Sequence, residues 1–181
     1  TPIREAISQL KREKLIVSKP NGGFKVATLS VQDAIQLYDC RIALEQLAIA
    51  GACEQITSKQ LKQLEKYVLL AEKLVESESN SSKSLEIDYQ FHRLITESSG
   101  NQWLLTLLEQ VFDQMSLLRI QTTKHNPQVL EIRLEHRQVY DAIALKKPDL
   151  AQATIKEHLI ASKARVVEEL KIINQKKAEM T

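Results

Sequence analysis

Apolar residues recur three and four positions apart along most of this chain, which is the spacing of one face of an α-helix. Ser30 with Asp33, and Thr57 with Gln60, have the spacing of a capping box, which marks a helix start. Gly100 is a typical residue at a helix end. The pattern predicts six helices, over about 30–54, 57–75, 84–98, 104–118, 126–147 and from 148 past 170. The Ser/Asn-rich stretch 77–84 is predicted as a turn, and the polar tail 174–181 is predicted to fray.

The first thirty residues follow a different pattern. A short helix is predicted over 1–14, with Ile3, Ala6, Ile7 and Leu10 on its buried face. After it, β-forming residues at positions 15–17 and 24–26 flank an Asn-Gly turn, which predicts a hairpin. So short a segment cannot hold a core by itself, and it is expected to be part of a larger unit.

Composition narrows the class of protein. Hydrophobic residues make up 43% of the 181 and charged residues 27%, and 4 Gly and 4 Pro leave few helix breakers. The net charge of +2 is too small to indicate nucleic-acid binding by itself. Cys40 and Cys53 lie roughly 20 Å apart on one predicted helix, too far for a disulfide, which fits a reducing cytoplasm. No apolar run is long enough to span a membrane, and no signal peptide is visible in the chain as it begins at Thr1.

Four polar residues occupy predicted core positions: Asp88, His92, His136 and His158. Asp88 and His92 share one helix face, whereas the other two come from the fifth and sixth helices. Buried carboxylates and imidazoles are costly unless they satisfy one another, and a divalent metal satisfies them. Three imidazoles and one carboxylate suit Zn²⁺, Ni²⁺, Mn²⁺ or Fe²⁺, with room for a water or a ligand oxygen. Spacing alone leaves open the alternative of ordinary hydrogen-bonded core histidines.

The sequence offers little for catalysis. No His-Glu-x-x-His zinc motif, nucleophile elbow or phosphate-binding glycine loop occurs. Glu135 adjoins His136, but neighbours on a helix point about 100° apart, so Glu135 is poorly placed as a base at the same metal. We predict that the protein is not an enzyme. A metal-dependent hydrolase or transferase on a helical bundle is the alternative.

The N-terminal segment carries a family resemblance. Its parts are Thr1-Pro2-Ile3-Arg4-Glu5-Ala6-Ile7, then Leu10, Lys14-Leu15-Ile16 and Asn21-Gly22-Gly23-Phe24-Lys25-Val26. In this order they closely resemble the recognition helix and wing of the winged helix-turn-helix in the GntR family of bacterial transcription regulators. The resemblance implies operator DNA as a partner, and its contact residues would be Arg4 first, then Thr1, Glu5, Gly22 and Gly23. Members of that family have two further helices before this one, so we expect the chain as given to bind operator DNA more weakly than an intact protein.

The remainder of the chain carries a second part of this resemblance. The matching residues are Tyr38, Arg41, Leu44, Glu45, Asp88, Phe91, His92, Leu94, Ile95, Gly100, Asn101, Glu135, His136, Ala142, Ile143 and His158. They are similar to the FCD ligand-sensing domain of the FadR subfamily over residues 30–175, and six bundle helices rather than seven resemble its VanR-type branch. The resemblance implies that Asp88, His92, His136 and His158 bind the metal, with zinc the first expectation. It implies an all-α architecture, with a partial winged helix-turn-helix at 1–28 and a six-helix FCD bundle at 29–181.

The function that this resemblance implies is that of a homodimeric, cytoplasmic, metal-containing transcription regulator. A small carboxylate effector would modulate its binding to operator DNA. Arg41, Arg133 and Asn101 are the expected effector-binding residues, since a planar guanidinium suits a carboxylate and Arg133 lies one helical turn before His136. Surface or intersubunit salt bridges are the alternative role of both arginines. A purely structural metal is the remaining alternative for the site.

Overall fold

The computed structural model describes residues 2–73, 81–130 and 133–179, without the side chains of residues 81, 128, 130, 133 and 134. These residues form seven α-helices and one two-stranded sheet, so the predicted all-α architecture with a small wing is confirmed. In chain order the elements are α1 (Pro2–Arg12), β1 (Ile16–Ser18), β2 (Phe24–Val26), α2 (Val31–Gln55), α3 (Ser58–Lys73), α4 (Ser81–Ser98), α5 (Gln102–Thr123), α6 (Arg133–Ala144) and α7 (Pro148–Glu179). Among these ranges, no helix combines the length and the apolar character needed to cross a membrane.

Helix α1 and the hairpin form a small unit beside the bundle. β1 and β2 pair antiparallel, with Val17 opposite Lys25, as the sequence predicts. The turn between them holds Gly22 and Gly23 at φ +86° and +78°, a region that glycine enters without steric cost. The prediction of a buried face on α1 is wrong for this chain. Ile3 is 73% exposed, because no helix of the described ranges covers that face.

Helices α2 to α7 form the bundle, and their starts follow the predicted capping signals. Ser30 and Asp33 form the reciprocal capping box before α2. Thr57 and Gln60 exchange the same pair of hydrogen bonds before α3. Gly100 ends α4 with φ +70°, as predicted. These local signals therefore fix where several helices begin and end.

Three apolar clusters fill the interior of the bundle, and the two larger ones lie on either side of a set of buried polar residues. The first contains residues such as Ile49, Phe91, Ile95, Val139, Ile155 and Leu159. The second contains residues such as Tyr38, Met115, Leu118, Val166 and Leu170. Along both α2 and α7, buried polar residues separate the two clusters. The bundle thus has a polar layer between two apolar cores.

Three predicted boundaries are wrong. Residues 81–84, predicted as part of a turn, begin α4, while residues 77–80 lie outside the described residues. The segment Pro127–Leu130, predicted as the first turn of an α-helix, forms a 3₁₀ turn, and α6 spans Arg133–Ala144. α7 continues to residue 179 instead of fraying at 174, since Ile173 packs into the second cluster and Lys176 hydrogen-bonds His125.

Candidate metal centre and adjoining cavity

The four residues predicted as metal ligands meet in the polar layer of the bundle. α4 supplies Asp88 and His92, α6 supplies His136 and α7 supplies His158, and each is at most 2% exposed. One potential ligand atom from each residue lies within 4.8 Å of the others. Helical spacing places Asp88 and His92 on one face, and the packing of α6 and α7 brings the two remaining histidines to it.

The atoms that converge are the Nε2 nitrogens and one carboxylate oxygen. His92 Nε2 lies 3.2 Å from His158 Nε2 and 3.7 Å from Asp88 Oδ1, and His136 Nε2 lies 3.5 Å from the same oxygen. Zinc and neighbouring divalent metals accept these donor types. Asp88 Oδ1 and both ring nitrogens of His136 have no hydrogen-bond partner among the described residues. A divalent cation fits this set, because it satisfies buried lone pairs that the protein leaves unsatisfied.

Carboxylates hold the outer side of two of the imidazole rings. His92 Nδ1 donates to Glu45 at 2.5 Å, and His158 Nδ1 donates to Glu135 at 2.7 Å. A donating Nδ1 leaves the Nε2 lone pair free toward the centre. The two carboxylates therefore select the tautomer that metal binding requires, as outer carboxylates do in many metal sites.

Each outer carboxylate is held in turn by an arginine. Arg41 pairs with Glu45, and Arg165 binds both oxygens of Glu135 at 2.8 and 2.9 Å. Glu135 consequently faces the outer nitrogen of His158 and not the convergent atoms.

The third imidazole is supported differently. The ring of His136 stacks on Phe91 with 4.0 Å between the ring centroids and 11° between the ring planes. An aromatic face thus orients His136, whereas ion pairs orient the other two histidines.

Burial sets the protonation states of the centre. It lowers the pKa of His158 to about 4, that of His136 well below its ordinary value, and that of His92. Burial by itself raises the pKa of Glu135, but hydrogen bonds from His158 and Arg165 outweigh it and bring that pKa to about 2. The imidazoles are therefore neutral at pH 7 and Glu135 is ionised, as ligation by histidine requires.

A cavity of about 340 Å³ opens beside the convergent atoms. Its lining includes Arg41, Asp88, His92, Phe112, Met115 and Arg119. Arg41 is 1% exposed and Arg119 is 4% exposed. Arg119 contacts the Asp88 carboxylate through one nitrogen, while its Nε and Nη2, and Nη1 of Arg41, have no hydrogen-bond partner in the part of the chain described. The cavity is thus lined both by candidate metal ligands and by two buried arginines.

Arg119 and Glu45 are site residues that were not predicted as such from the sequence, although Glu45 is among the residues that carry the family resemblance. Arg119 lies four positions after Met115 on the buried stripe of α5, and Glu45 continues the stripe of Tyr38 and Arg41 on α2. A charged residue on a core stripe is the signal that identified the four predicted ligands. The same signal, applied to α2 and α5, would have found both.

The predicted effector residues do not all meet at the cavity. Arg41 lines it. Asn101 lies at the start of α5, where its side-chain oxygen accepts the backbone N–H groups of Trp103 and Leu104, both at 3.1 Å. The side chain of Arg133 lies outside the described residues. An N-cap role therefore accounts for the hydrogen bonds of the Asn101 side-chain oxygen.

The predicted DNA-contacting residues lie on the N-terminal unit. Arg4 and Glu5 are exposed on α1, and Gly22 and Gly23 form the turn of the hairpin. Thr1 lies outside the described residues. An exposed helix and a glycine-tipped hairpin are both accessible to a macromolecular partner.

Comparison with known proteins agrees with this architecture. The FCD domain family matches residues 36–161. The chain is 29% identical over 161 residues to the uncharacterized HTH-type transcriptional regulator YdhC of Bacillus subtilis, covering 89% of this chain and 70% of that protein. It is 26% identical over 167 residues to the HTH-type transcriptional repressor GlaR of Escherichia coli, covering 88% and 76%.

Solved structures show the same fold. Escherichia coli McbR/YncC superimposes with a TM-score of 0.83 at 18% identity, over 92% of this chain and 79% of that one. The metal-free FCD domain of TM0439, a putative transcriptional regulator, superimposes with a TM-score of 0.66 at 19% identity, over 81% of this chain and 99% of that one. A GntR-type regulator from Rhodococcus reaches 0.76 at 20% identity, over 92% and 79%.

The relatives decide between the classes of protein that the sequence left open. They are transcriptional regulators and not enzymes, so the prediction of a non-enzyme is confirmed. The match to the FCD family spans more than half of the chain and includes all four convergent residues. The chain belongs to the FCD domain family, and its relatives are HTH-type transcriptional regulators of the GntR family.

Proposed function

We propose that the chain is the larger part of a cytoplasmic bacterial transcription regulator of the FadR subfamily, in its VanR-like branch. Residues 1–28 are assigned to a partial winged helix-turn-helix, and residues 29–181 to a metal- and effector-binding domain. The six helices α2 to α7 support the branch assignment.

Asp88, His92, His136 and His158 are the proposed ligands of a divalent metal. The observation that carries this proposal is the convergence of three Nε2 atoms and Asp88 Oδ1 in a fully buried layer. Zinc is the first expectation, and nickel, manganese and iron suit the same donors. When bound, the metal supplies positive charge and open coordination positions for a ligand oxygen.

The adjoining cavity is the proposed binding site of a small carboxylate effector. Arg41 and Arg119 support it, because both are buried cations that line the cavity. A guanidinium binds a carboxylate through two parallel hydrogen bonds. Arg133, the first residue of α6, stays a proposed effector-binding residue, whereas the Asn101 side chain caps α5.

Helix α5 is the proposed link between effector and DNA. One side of α5 lines the cavity through Met115 and Arg119. Another side contacts the segment that follows the N-terminal unit, since the Gln121 amide hydrogen-bonds both the N–H and the carbonyl of Leu29. Effector binding would shift the DNA-reading unit through this helix and so change its fit to the operator. On the DNA side, the residues proposed for contact are Thr1, Arg4, Glu5, Gly22 and Gly23.

A second copy of the chain is the proposed partner in a homodimer. Trp103 and Leu107 on α5 are 80% and 48% exposed, and Leu47 on the neighbouring α2 is 57% exposed. Regulators with helix-turn-helix motifs read two half-sites with two protomers, so a self-associating face is needed. Trp103→Glu with Leu107→Glu is expected to yield monomers by sedimentation velocity. Dimers that persist in this variant would place the interface elsewhere.

Two measurements on the full-length protein test the proposed function. Elemental analysis should find about one divalent metal per chain, and Asp88→Ala should lose it. Calorimetry with small carboxylates should then show binding only to the metal-loaded protein, and a gel shift should show that the bound acid changes operator affinity. If metal removal lowers thermal stability but leaves acid binding unchanged, the metal is purely structural.

A further inference from the structure

The two oxygens of the Asp88 carboxylate have different surroundings. Oδ1 lies 3.7 Å from His92 Nε2 and 3.5 Å from His136 Nε2, so it belongs to the convergent atoms of the candidate metal centre. Oδ2 forms an ion pair with Nη1 of Arg119, which comes from α5. The carboxylate therefore presents one oxygen to the centre and the other to a guanidinium group.

The ion pair between Arg119 and Asp88 lies inside the bundle. Asp88 is 0% exposed and Arg119 is 4% exposed, and the helices that carry them, α4 and α5, pack against each other. Breaking a buried ion pair is costly, because the group that remains is an uncompensated charge in a poorly solvated place. Oδ2 is therefore held away from the convergent atoms.

Arg119 differs in its contacts from the other arginines of this layer. Arg41 and Arg165 each act on an imidazole through an intervening glutamate. Arg119 instead contacts the carboxylate of a candidate ligand directly. Its charge thus bears on how many oxygens that carboxylate offers, whereas the other two arginines bear on the orientation of imidazole rings.

The number of oxygens that Asp88 offers affects which divalent metal the site prefers. With Oδ1 alone, the four residues supply one ligand atom each, which is the tetrahedral set that suits zinc. With both oxygens, the set gains another hard ligand atom. Such a set suits manganese better, because manganese prefers oxygen ligands and octahedral coordination.

We propose that Arg119 is a positioning residue that keeps Asp88 a one-oxygen ligand and thereby favours zinc over manganese. This rests on the proposed metal site and concerns the binding mode of one of its ligands. Burial lowers the pKa of Arg119 to about 10, so the guanidinium stays charged at neutral pH and holds Oδ2 there.

Infrared difference spectroscopy on the full-length protein measures the binding mode. Isotopic labelling of the aspartate carboxyl carbons identifies their bands, and subtracting the spectrum with chelator from the spectrum with zinc isolates the carboxylate that the metal changes. Binding through one oxygen gives a wide separation between the asymmetric and symmetric stretching bands, and binding through both gives a narrow one. We expect the wide separation in the wild type.

The other results of this experiment are distinguishable. A narrow separation in the zinc-loaded wild type would overturn the inference and leave the metal site in place. Protein that takes up no zinc, or takes it up without any change in the aspartate bands, would overturn the proposed metal site as well.

Substitution of Arg119 tests its role. Arg119→Met removes the charge that holds Oδ2, so the band separation should narrow and the ratio of zinc to manganese affinity should fall by about tenfold. Arg119→Lys keeps a positive charge near Asp88 and should restore most of the preference for zinc. Arg93→Met is the matched control, because Arg93 pairs with Glu97 and Glu109 outside the cavity, and it should match the wild type in both measurements.

The ratio of the two affinities is the diagnostic quantity, because removing a positive charge beside the site strengthens the binding of every divalent cation. Competition with a chromophoric chelator measures each affinity. A wide band separation together with an unchanged ratio in folded, metal-loaded Arg119→Met would overturn the role of Arg119. If this variant does not fold, the wild-type infrared spectrum decides.

Discussion

Two histidines of the candidate centre are each held from behind by a carboxylate that an arginine neutralises. Glu45 and Glu135 make these contacts, with Arg41 and Arg165 as their partners. Each imidazole is thereby fixed in orientation and tautomer before any metal arrives. The orientation of these two histidines thus depends on residues that do not themselves face the convergent atoms.

Glu135→Gln should lower metal affinity by about 10- to 100-fold. The Glu135 carboxylate orients His158 and makes its imidazole a stronger metal ligand, and an amide is a weaker hydrogen-bond acceptor. Competition with a chromophoric chelator measures this directly. Glu109→Gln is the control, since Glu109 pairs with Arg93 away from the centre. Unchanged affinity in Glu135→Gln would mean that the packing of α7 alone orients His158.

The histidines also make the metal-free protein sensitive to acid. Burial lowers the pKa of His158 from 6.5 to about 4, so between these values the unfolded chain binds more protons than the native one. Stability should therefore fall as the pH decreases through this window, by about 2 kcal/mol between pH 7 and pH 5 for His158 alone. Urea unfolding in excess chelator at the two pH values measures the loss, and His158→Gln should reduce it. Equal midpoints for the wild type at both pH values would contradict native burial of a neutral imidazole.

At the scale of elements, α5 contributes to the cavity and to the junction with the N-terminal unit. Arg119 and Gln121 are two positions apart, so they lie on different sides of the helix. Arg119 contacts Asp88, while Gln121 holds the backbone of Leu29 just before α2 begins. The Gln114 side chain adds a contact to the carbonyl of Glu13 after α1. A movement of α5 at the cavity therefore reaches the segment that precedes the bundle.

Gln121→Ala should uncouple effector binding from DNA binding. The variant loses both hydrogen bonds to Leu29. It keeps every residue that lines the cavity, because Gln121 is not one of them. We expect effector affinity within about twofold of wild type, together with a loss of at least half of the effector-induced change in operator affinity. Calorimetry and gel shifts on the full-length protein measure the two quantities.

Gln102→Ala at the opposite end of α5 provides the control for this substitution, because Gln102 is exposed and far from Leu29 along the helix. It should leave both quantities unchanged. A full effector response in Gln121→Ala would show that the signal travels by another helix.

At the scale of the whole molecule, the bundle closes around its polar layer, so occupation of that layer should raise global stability. A metal that binds only the native state adds about 4 kcal/mol when its concentration is a thousandfold above Kd. For a chain of this size the melting temperature should rise by roughly 10 °C on zinc loading. Calorimetric melting with zinc and with chelator measures the shift, and His136→Ala should abolish it. Identical melting curves for wild type in the two conditions would rule out a metal held by these residues.

How far the sequence predicts the molecule depends on whether a feature is local. Ser30, Thr57 and Gly100 act on adjacent backbone, so the helix ends near them are predicted well. The continuation of α7 past residue 174 depends on contacts with the distant residues around His125, which no local pattern contains. The four convergent residues were identifiable because polar groups interrupt apolar stripes. Their arrangement, and the place of Arg119 beside them, require knowing which helices are neighbours.

The polar layer between the two apolar clusters separates what holds the helices together from what selects the ligand. The clusters on either side supply the contacts that keep α2 and α7 in place. Substitution of a polar-layer residue that lines the cavity changes which ligand the cavity can bind, while most of the packing contacts between the helices remain. One scaffold is thus open to divergent evolution of its specificity. The same fold persists in solved structures at 18–20% identity, as expected where the packing contacts do not depend on the residues that line the cavity.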